Sequence, residues 1–333
     1  MAQKVGNGGH GMEDYSPETG RYISDGEPNT YYDNPEENAM DKLFGMSHNS
    51  KPFRVEDVLN EAYSGRGGRK YSRLIGMSEE ERQFFFDKLL EKDKEVYGED
   101  FIKKSTDDRP DTIDDMSEER QKLRNEWVNS EIDRQNSIRK IQHGRHAVII
   151  LGLPGSGKSS LSNPILENNG AYEIDSDIFK TRYIPEFKSD PTMSGKTQRE
   201  AGILASDMKE TALHEGANVL IGKVGGSYKS IKEIVDDLND YGYTIDVVYN
   251  DLPGEETEKR NDNRFMSNMR KGNGQARYVP RRVIYQSEYG VFKTINALSR
   301  NDKINGMLIY SNDVPYGEKP KHLKTIGNPK EVI

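Results

Sequence analysis

Residues 147–166 read AVIILGLPGSGKSSLSNPIL. The five apolar residues Ala147–Leu151 make a run of the length expected for a strand buried on both faces. A glycine-rich turn follows at once, and a helical pattern follows the turn. Within the stretch, Gly152, Leu153, Pro154, Gly155, Ser156, Gly157, Lys158 and Ser159 complete the pattern G-x-x-x-x-G-K-[ST]. The spacing has a chemical reason. Glycines let successive backbone N–H groups turn inward around an anion, and the helix after them directs its positive end at it. Lys158 reaches the outer phosphates, Ser159 offers its hydroxyl to magnesium, and Ser160 completes the phosphate-facing turn. ATP with Mg2+ is the cofactor pair this predicts.

Further strand patterns lie downstream at 171–175 (AYEID), 218–222 (NVLIG), 245–249 (IDVVY) and 307–311 (MLIYS), separated by helical or loop sequence. Alternation of this kind predicts an α/β chain with a three-layer P-loop NTPase/kinase fold and a parallel sheet, over residues 144–315. A P-loop specifies a nucleotide and leaves the reaction open, since hydrolases, motors and kinases share it. Asp175 and Asp177 fall just past the second strand, at the sheet edge where open α/β folds bind ligands. Asp177 is the candidate to accept a proton from an acceptor hydroxyl, while Asp175 is expected to cap the next helix. Lys259, Arg260, Arg264, Arg270, Lys271, Arg277, Arg281 and Arg282 crowd one segment and read as a mobile basic lid that closes over phosphates.

Composition bounds the rest. The 333 residues carry a net charge of −8, which argues against a protein that coats nucleic acid. There is no cysteine, hence no disulfide, thiolate metal site or Cys nucleophile, and the cytoplasm is the compartment expected. No apolar run approaches the length of a membrane span. Only 33% of residues are hydrophobic while 31% are charged, so part of the chain is expected to pack weakly. Residues 1–50 read as a disordered arm and 51–143 as a helical region with linkers. Within that region lie a pattern at 53–63, a helix capped by Ser78 and Glu81, and a charged, mostly solvated helix at 117–142. Residues 316–333 read as a C-terminal tail. Phe84–Phe86 with Leu89 and Leu90 suggest a small helical core. His143 and His146 lack a third ligand for zinc, and the basic stretch 65–73 reads as a flexible linker.

Taken together, the segment GLPGSGKSS, the stretch EIDSDIFKTRYIPEF, the strand NVLIG, the segment GYTIDVVYNDLP and the arginines of RFMSNMRKGNGQAR resemble the zeta toxin family over about residues 145–312. Members of that family are P-loop kinases of toxin–antitoxin modules that phosphorylate the sugar 3'-hydroxyl of UDP-N-acetylglucosamine. The resemblance implies Asp177 as the base, Arg264 and Arg277 as ATP-phosphate ligands, Lys158 in its P-loop role, and an antitoxin or larger assembly as partner. Where the family carries an acidic, sugar-holding residue after the third strand, this chain reads Gly222, Lys223, Val224, Gly225, Gly226. The acceptor could therefore be a UDP-N-acetyl sugar, another nucleotide sugar, a metabolite or a nucleic-acid end. A nucleotide-binding module without turnover is the reading from another class.

Overall fold

A computed structural model of the chain describes residues 14–16, 21–23, 58–59, 74, 76–272, 276–315 and 317–330. Strands β1 (Asp14–Ser16) and β2 (Arg21–Ile23) pair antiparallel. The rest of the expected arm, most of the 53–63 pattern and the basic stretch 65–73 lie outside the described residues. Leu59 is fully buried in the main core.

The remaining elements are α1 (Glu79–Tyr97), α2 (Glu99–Ser105), α3 (Glu118–Ile138), β3 (His146–Leu151), α4 (Lys158–Asn169), β4 (Tyr172–Ile174), α5 (Ser176–Arg182), α6 (Pro185–Ser189), α7 (Gln198–Glu215), β5 (Val219–Lys223), α8 (Tyr228–Asp240), β6 (Thr244–Asp251), α9 (Gly254–Lys271), α10 (Arg281–Leu298), β7 (Ile304–Ser311) and β8 (Lys321–Gly327). Strands β3–β8 form one sheet in the order β4-β5-β3-β6-β7-β8. Alternate residues of β3 serve its two faces. Ala147, Ile149 and Leu151 join the larger core with Phe179, Leu204 and Val291. Val148 and Ile150 join a smaller one with Leu161 and Ile165 of α4. Burial on both sides explains the unbroken apolar run and places the P-loop over the middle of the sheet.

The sheet is parallel from β4 to β7, and β8 adds an antiparallel strand at the edge. This strand lies in the stretch that reads as a tail. Its sequence KHLKTIG packs only Leu323 and Ile326 against the core, too few apolar positions to register as a strand pattern.

The charged helix α3 also departs from expectation, because its inward stripe is buried and consists largely of polar residues: Arg120, Arg124, Val128, Glu131 and Gln135. Glu200 of α7, fully buried, accepts from Arg120 (Nε, 2.8 Å) and from Arg124 (Nε, 2.8 Å), and Arg120 also reaches Glu186 at 3.0 Å. Farther along, the Gln135 amide donates to Glu173 O (2.9 Å) and accepts from Glu173 N–H (2.7 Å), covering the free edge of β4 as a neighbouring strand would. Hydropathy reads such a helix as solvated because pairing, rather than apolarity, permits its burial. The phenylalanines of α1 do take part in a small core, where Phe86 and Leu89 pack with Leu74 on Tyr285 of α10, while Phe84 and Leu90 stay exposed. The Ser78/Glu81 capping box is present, with the Ser78 hydroxyl accepting from Glu81 N–H at 3.2 Å.

Burial pushes the Glu200 carboxyl up, but the guanidinium groups of Arg120 and Arg124 more than offset this and hold it below its ordinary value. Its contribution to stability is therefore present above the unfolded-state pKa of about 4.3 and is lost as the pH falls through the lower folded value. Glu200→Gln leaves two buried guanidiniums short of a counter-charge. It is expected to cost about 3 kcal/mol at neutral pH, read as a lower urea midpoint at unchanged slope, with a smaller difference from the parent in acid.

Candidate active site

The P-loop joins β3 to α4, and its shape is set by groups outside it. Three buried asparagines donate to its carbonyls. Asn250 Nδ2 in β6 and Asn312 Nδ2 after β7 both reach Ser156 O, at 2.9 and 2.6 Å, and Asn261 Nδ2 of α9 reaches Pro154 O at 2.7 Å. With carbonyls held away from the centre of the loop, its N–H groups are free to face an anion. Gly155 and Gly157 have φ of 84° and 79°, the left-handed region. A Cβ at Gly157 would collide with the Asn312 amide. These asparagines escaped the sequence reading; their only signal is that two of them end strands flanking the nucleotide edge.

Lys158 Nζ arches over the loop and donates to Gly152 O (2.7 Å) and Leu153 O (3.2 Å). Burial lowers its pKa to about 8; Asp175 opposes the shift, while Arg277 and Arg264 add to it. Ser159 and Ser160 are exposed at the start of α4. Lys158, Ser159, Glu173 and Asp175 line one cavity of ≈ 60 Å³ beneath the loop. Its oxygen donors suit a hard cation such as Mg2+ sharing its ligands with phosphates. Among the described residues no group of three or more His, Asp or Glu could hold a metal by itself.

Asp175 accepts from Asp177 N–H at 2.8 Å, capping α5. It is half-buried, with its pKa raised by desolvation and opposed by Lys158, Arg277, Lys223 and Lys180. Space for it depends on Gly222, where a Cβ would lie 3.0 Å from Asp175 Oδ2. In the first turn of α5, the Asp177 carboxylate is ion-paired with Arg277 and its side chain stays 39% exposed. Arg264 donates to Asn261 Oδ1 (2.7 Å), the residue that pins Pro154. Thus Lys158, Asp177, Arg264 and Arg277, far apart in sequence, gather around the loop.

The remainder of the basic segment is built largely into helices. It is helical through α9 and again from Arg281. Arg281 is 1% exposed and ion-paired with Asp93 and Asp262. Arg282 stacks over Phe86 at 4.4 Å, Lys259 pairs with Glu256 at 2.6 Å, and Arg260 donates to Asn312 O at 2.8 Å. His146 is likewise structural, held by Asp246 at 2.9 Å.

The model of the zeta toxin family matches residues 129–316. Solved structures to which the chain is similar include the PezAT chromosomal toxin–antitoxin system of Streptococcus pneumoniae, 13% identical with a TM-score of 0.49 over 63% of this chain and 82% of that one. The AvrRxo1-ORF1:-ORF2 complex with ATP is 14% identical, with a TM-score of 0.48 over 63% and 68%. A putative kinase from Chloroflexus aurantiacus J-10-fl is 17% identical, with a TM-score of 0.31 over 40% and 70%. No curated protein matches the chain in sequence.

Gly157→Ala tests the shape of the loop. The left-handed backbone alone makes alanine cost about 1–2 kcal/mol, and the added methyl displaces Asn312. ATP affinity in calorimetric titration is expected to fall at least about tenfold. Unchanged affinity would mean that the loop is not what holds the nucleotide.

Proposed function

The chain belongs to the zeta toxin family, and from that premise we propose that it is an ATP-dependent kinase that transfers the γ-phosphoryl group to a hydroxyl of a small molecule. The observation that carries this reading is the ion pair of Asp177 with Arg277 beside Lys158. A carboxylate able to take a proton and a cation able to meet a phosphoryl group share one spot at the carboxyl edge of the sheet.

Lys158 and the loop amides hold the β- and γ-phosphates. Ser159 and Asp175 would hold Mg2+, which would neutralise phosphate charge. Asp177 orients the acceptor hydroxyl and receives its proton as the new O–P bond forms. The bond between the γ-phosphorus and the bridging oxygen breaks, and ADP leaves with its electron pair. Arg264 and Arg277 offset the charge spread over the transferring group. Phosphoryl transfer asks for alignment more than for a strong base, which suits a half-exposed carboxylate.

Two lysines speak for an acceptor that carries negative charge. Lys180, 2% exposed, donates to the Gln198 side chain and has its pKa lowered by burial to about 7. Lys223 at the end of β5 is also lowered by burial, with Asp175 opposing. Both act electrostatically on Asp175, as Lys158 does. A nucleotide sugar of the UDP-N-acetylglucosamine type meets this requirement. So would another anionic nucleotide sugar, because Lys223 stands where the resemblance expects an acid. Family membership also favours a protein antitoxin as partner. Among the described residues no helix is long and apolar enough to cross a membrane, and the cytoplasm is the compartment we propose.

Asp177→Asn is expected to lower phosphoryl transfer to a nucleotide-sugar panel, read by product mass, by roughly two orders of magnitude or more with ATP affinity unchanged. Asp175→Asn should instead shift the magnesium dependence of ATP binding and have the smaller effect on rate. The reverse ranking would move the base by two residues, and no ATP consumption with any acceptor would favour a binding module. Lys158→Ala should abolish transfer with the thermal midpoint nearly unchanged.

A further inference from the structure

We propose that the α1–α2 hairpin, residues 79–105, is a built-in clamp that fixes the position of both phosphate arginines, with Asp93, Tyr97 and Phe101 as its positioning residues. The inference rests on the reading that Arg264 and Arg277 meet the phosphates. The hairpin lies N-terminal to the residues that the family model matches.

The immediate neighbours of both arginines are held by it. Beside Arg264, Phe265 meets Tyr97 and Phe101 edge-to-face, at centroid distances of 4.8 and 5.3 Å. Two residues before Arg264, Asp262 accepts from Tyr97 OH at 2.5 Å. Beside Arg277, Tyr278 packs its ring on the same two aromatics, at 4.8 and 5.7 Å, and donates to Asp93 Oδ2 at 2.9 Å. On the other side of Arg277, Ala276 is buried in one apolar cluster with Ile102. Arg281 closes the arrangement by bridging Asp93 on the hairpin to Asp262 on α9.

The composition of that cluster gives the clamp its meaning. Its buried members are Ile102, Phe265, Ala276 and Tyr278, with Tyr97, Phe101 and Met266 packed around them. Every one comes from the hairpin or from the segment that carries the arginines, and none from the sheet. Phe265 and Tyr278 are thus buried, at 3% and 8% exposure, through an element outside the P-loop fold. Aromatic pairs of this geometry are specific in direction as well as favourable, so they fix orientation. A shift of about 1 Å in a charge that meets the transferring group suffices to change rates by orders of magnitude. The hairpin therefore sets the active geometry from outside the domain that performs the chemistry.

The experiment is a double-mutant cycle on the full chain, read as affinity for a non-hydrolysable ATP analogue by calorimetry. Phe101→Ala is expected to weaken binding about tenfold in the parent and to have little effect once Arg264 and Arg277 are both alanine. Tyr97→Phe keeps the ring and removes only the bond to Asp262. It should act in the same direction by about two- to threefold, and it serves as the cycle's second arm if Phe101→Ala does not fold. Phe101→Leu should recover part of the loss. Equal effects of Phe101→Ala and Tyr97→Phe with and without the arginines would make the hairpin a stabilising element only and overturn the proposal. If the arginine pair itself proves silent in ATP binding, the assignment of those arginines fails first and the clamp falls with it.

Discussion

Everything in the site depends on a few side-chain amides that take possession of the P-loop carbonyls. A loop of glycines has no preference for turning its N–H groups inward, and its conformational freedom opposes any single shape. Asn250, Asn312 and Asn261 resolve this by binding the carbonyls of Ser156 and Pro154 from outside. Because the three come from β6, from the end of β7 and from α9, the loop's shape is a property of the assembled sheet. Arg264 shares this origin, since it bonds to the same Asn261 that holds Pro154. Phosphate recognition and the placement of one of its cations thus have a common support.

The chain's modest hydrophobic content is explained by how its N-terminal helices attach. Arg120 and Arg124 on α3 share Glu200, and Asp93 on α1 meets Arg281. Such contacts stabilise less per area than apolar packing and are costly when half broken. They are also directional, which suits helices that must meet the kinase core in a single register. Around Asp175 the same physics gathers several basic side chains, with Lys158, Lys180, Lys223 and Arg277 all acting on one half-buried carboxylate. A gathering of that kind invites phosphate-bearing ligands.

Much of this was legible in the residues and some of it was not, for physical reasons. The strand, loop and helix around Lys158 announce themselves because backbone chemistry restricts which residues can occupy them. Asp175 and Asp177 could be placed from the strand before them, although only coordinates separate a cap from an exposed carboxylate two residues on. The basic segment shows the limit. Arg277 and Arg281 are alike in sequence, yet one faces the P-loop and the other is sealed among Asp93, Asp262 and Glu258. That difference is made by α1, some 180 residues away in the chain. Helix α3 was misread for the complementary reason, since partners on α6 and α7 neutralise its charges, and β8 because an edge strand needs few apolar residues.

The two margins of the sheet carry a consequence for how the protein behaves in a crowded solution. A sheet edge with bare N–H and C=O groups is a template on which other chains can polymerise. At one margin the Gln135 amide occupies the pairing groups of Glu173 on β4. At the other, β8 runs against the direction of its neighbours and shows Lys321, His322, Lys324 and Thr325 to solvent. One margin is plugged by a side-chain amide and the other carries Lys321 and Lys324, two devices that discourage edge-to-edge pairing of sheets. The sheet that carries the nucleotide loop thus has both of its margins guarded among the described residues.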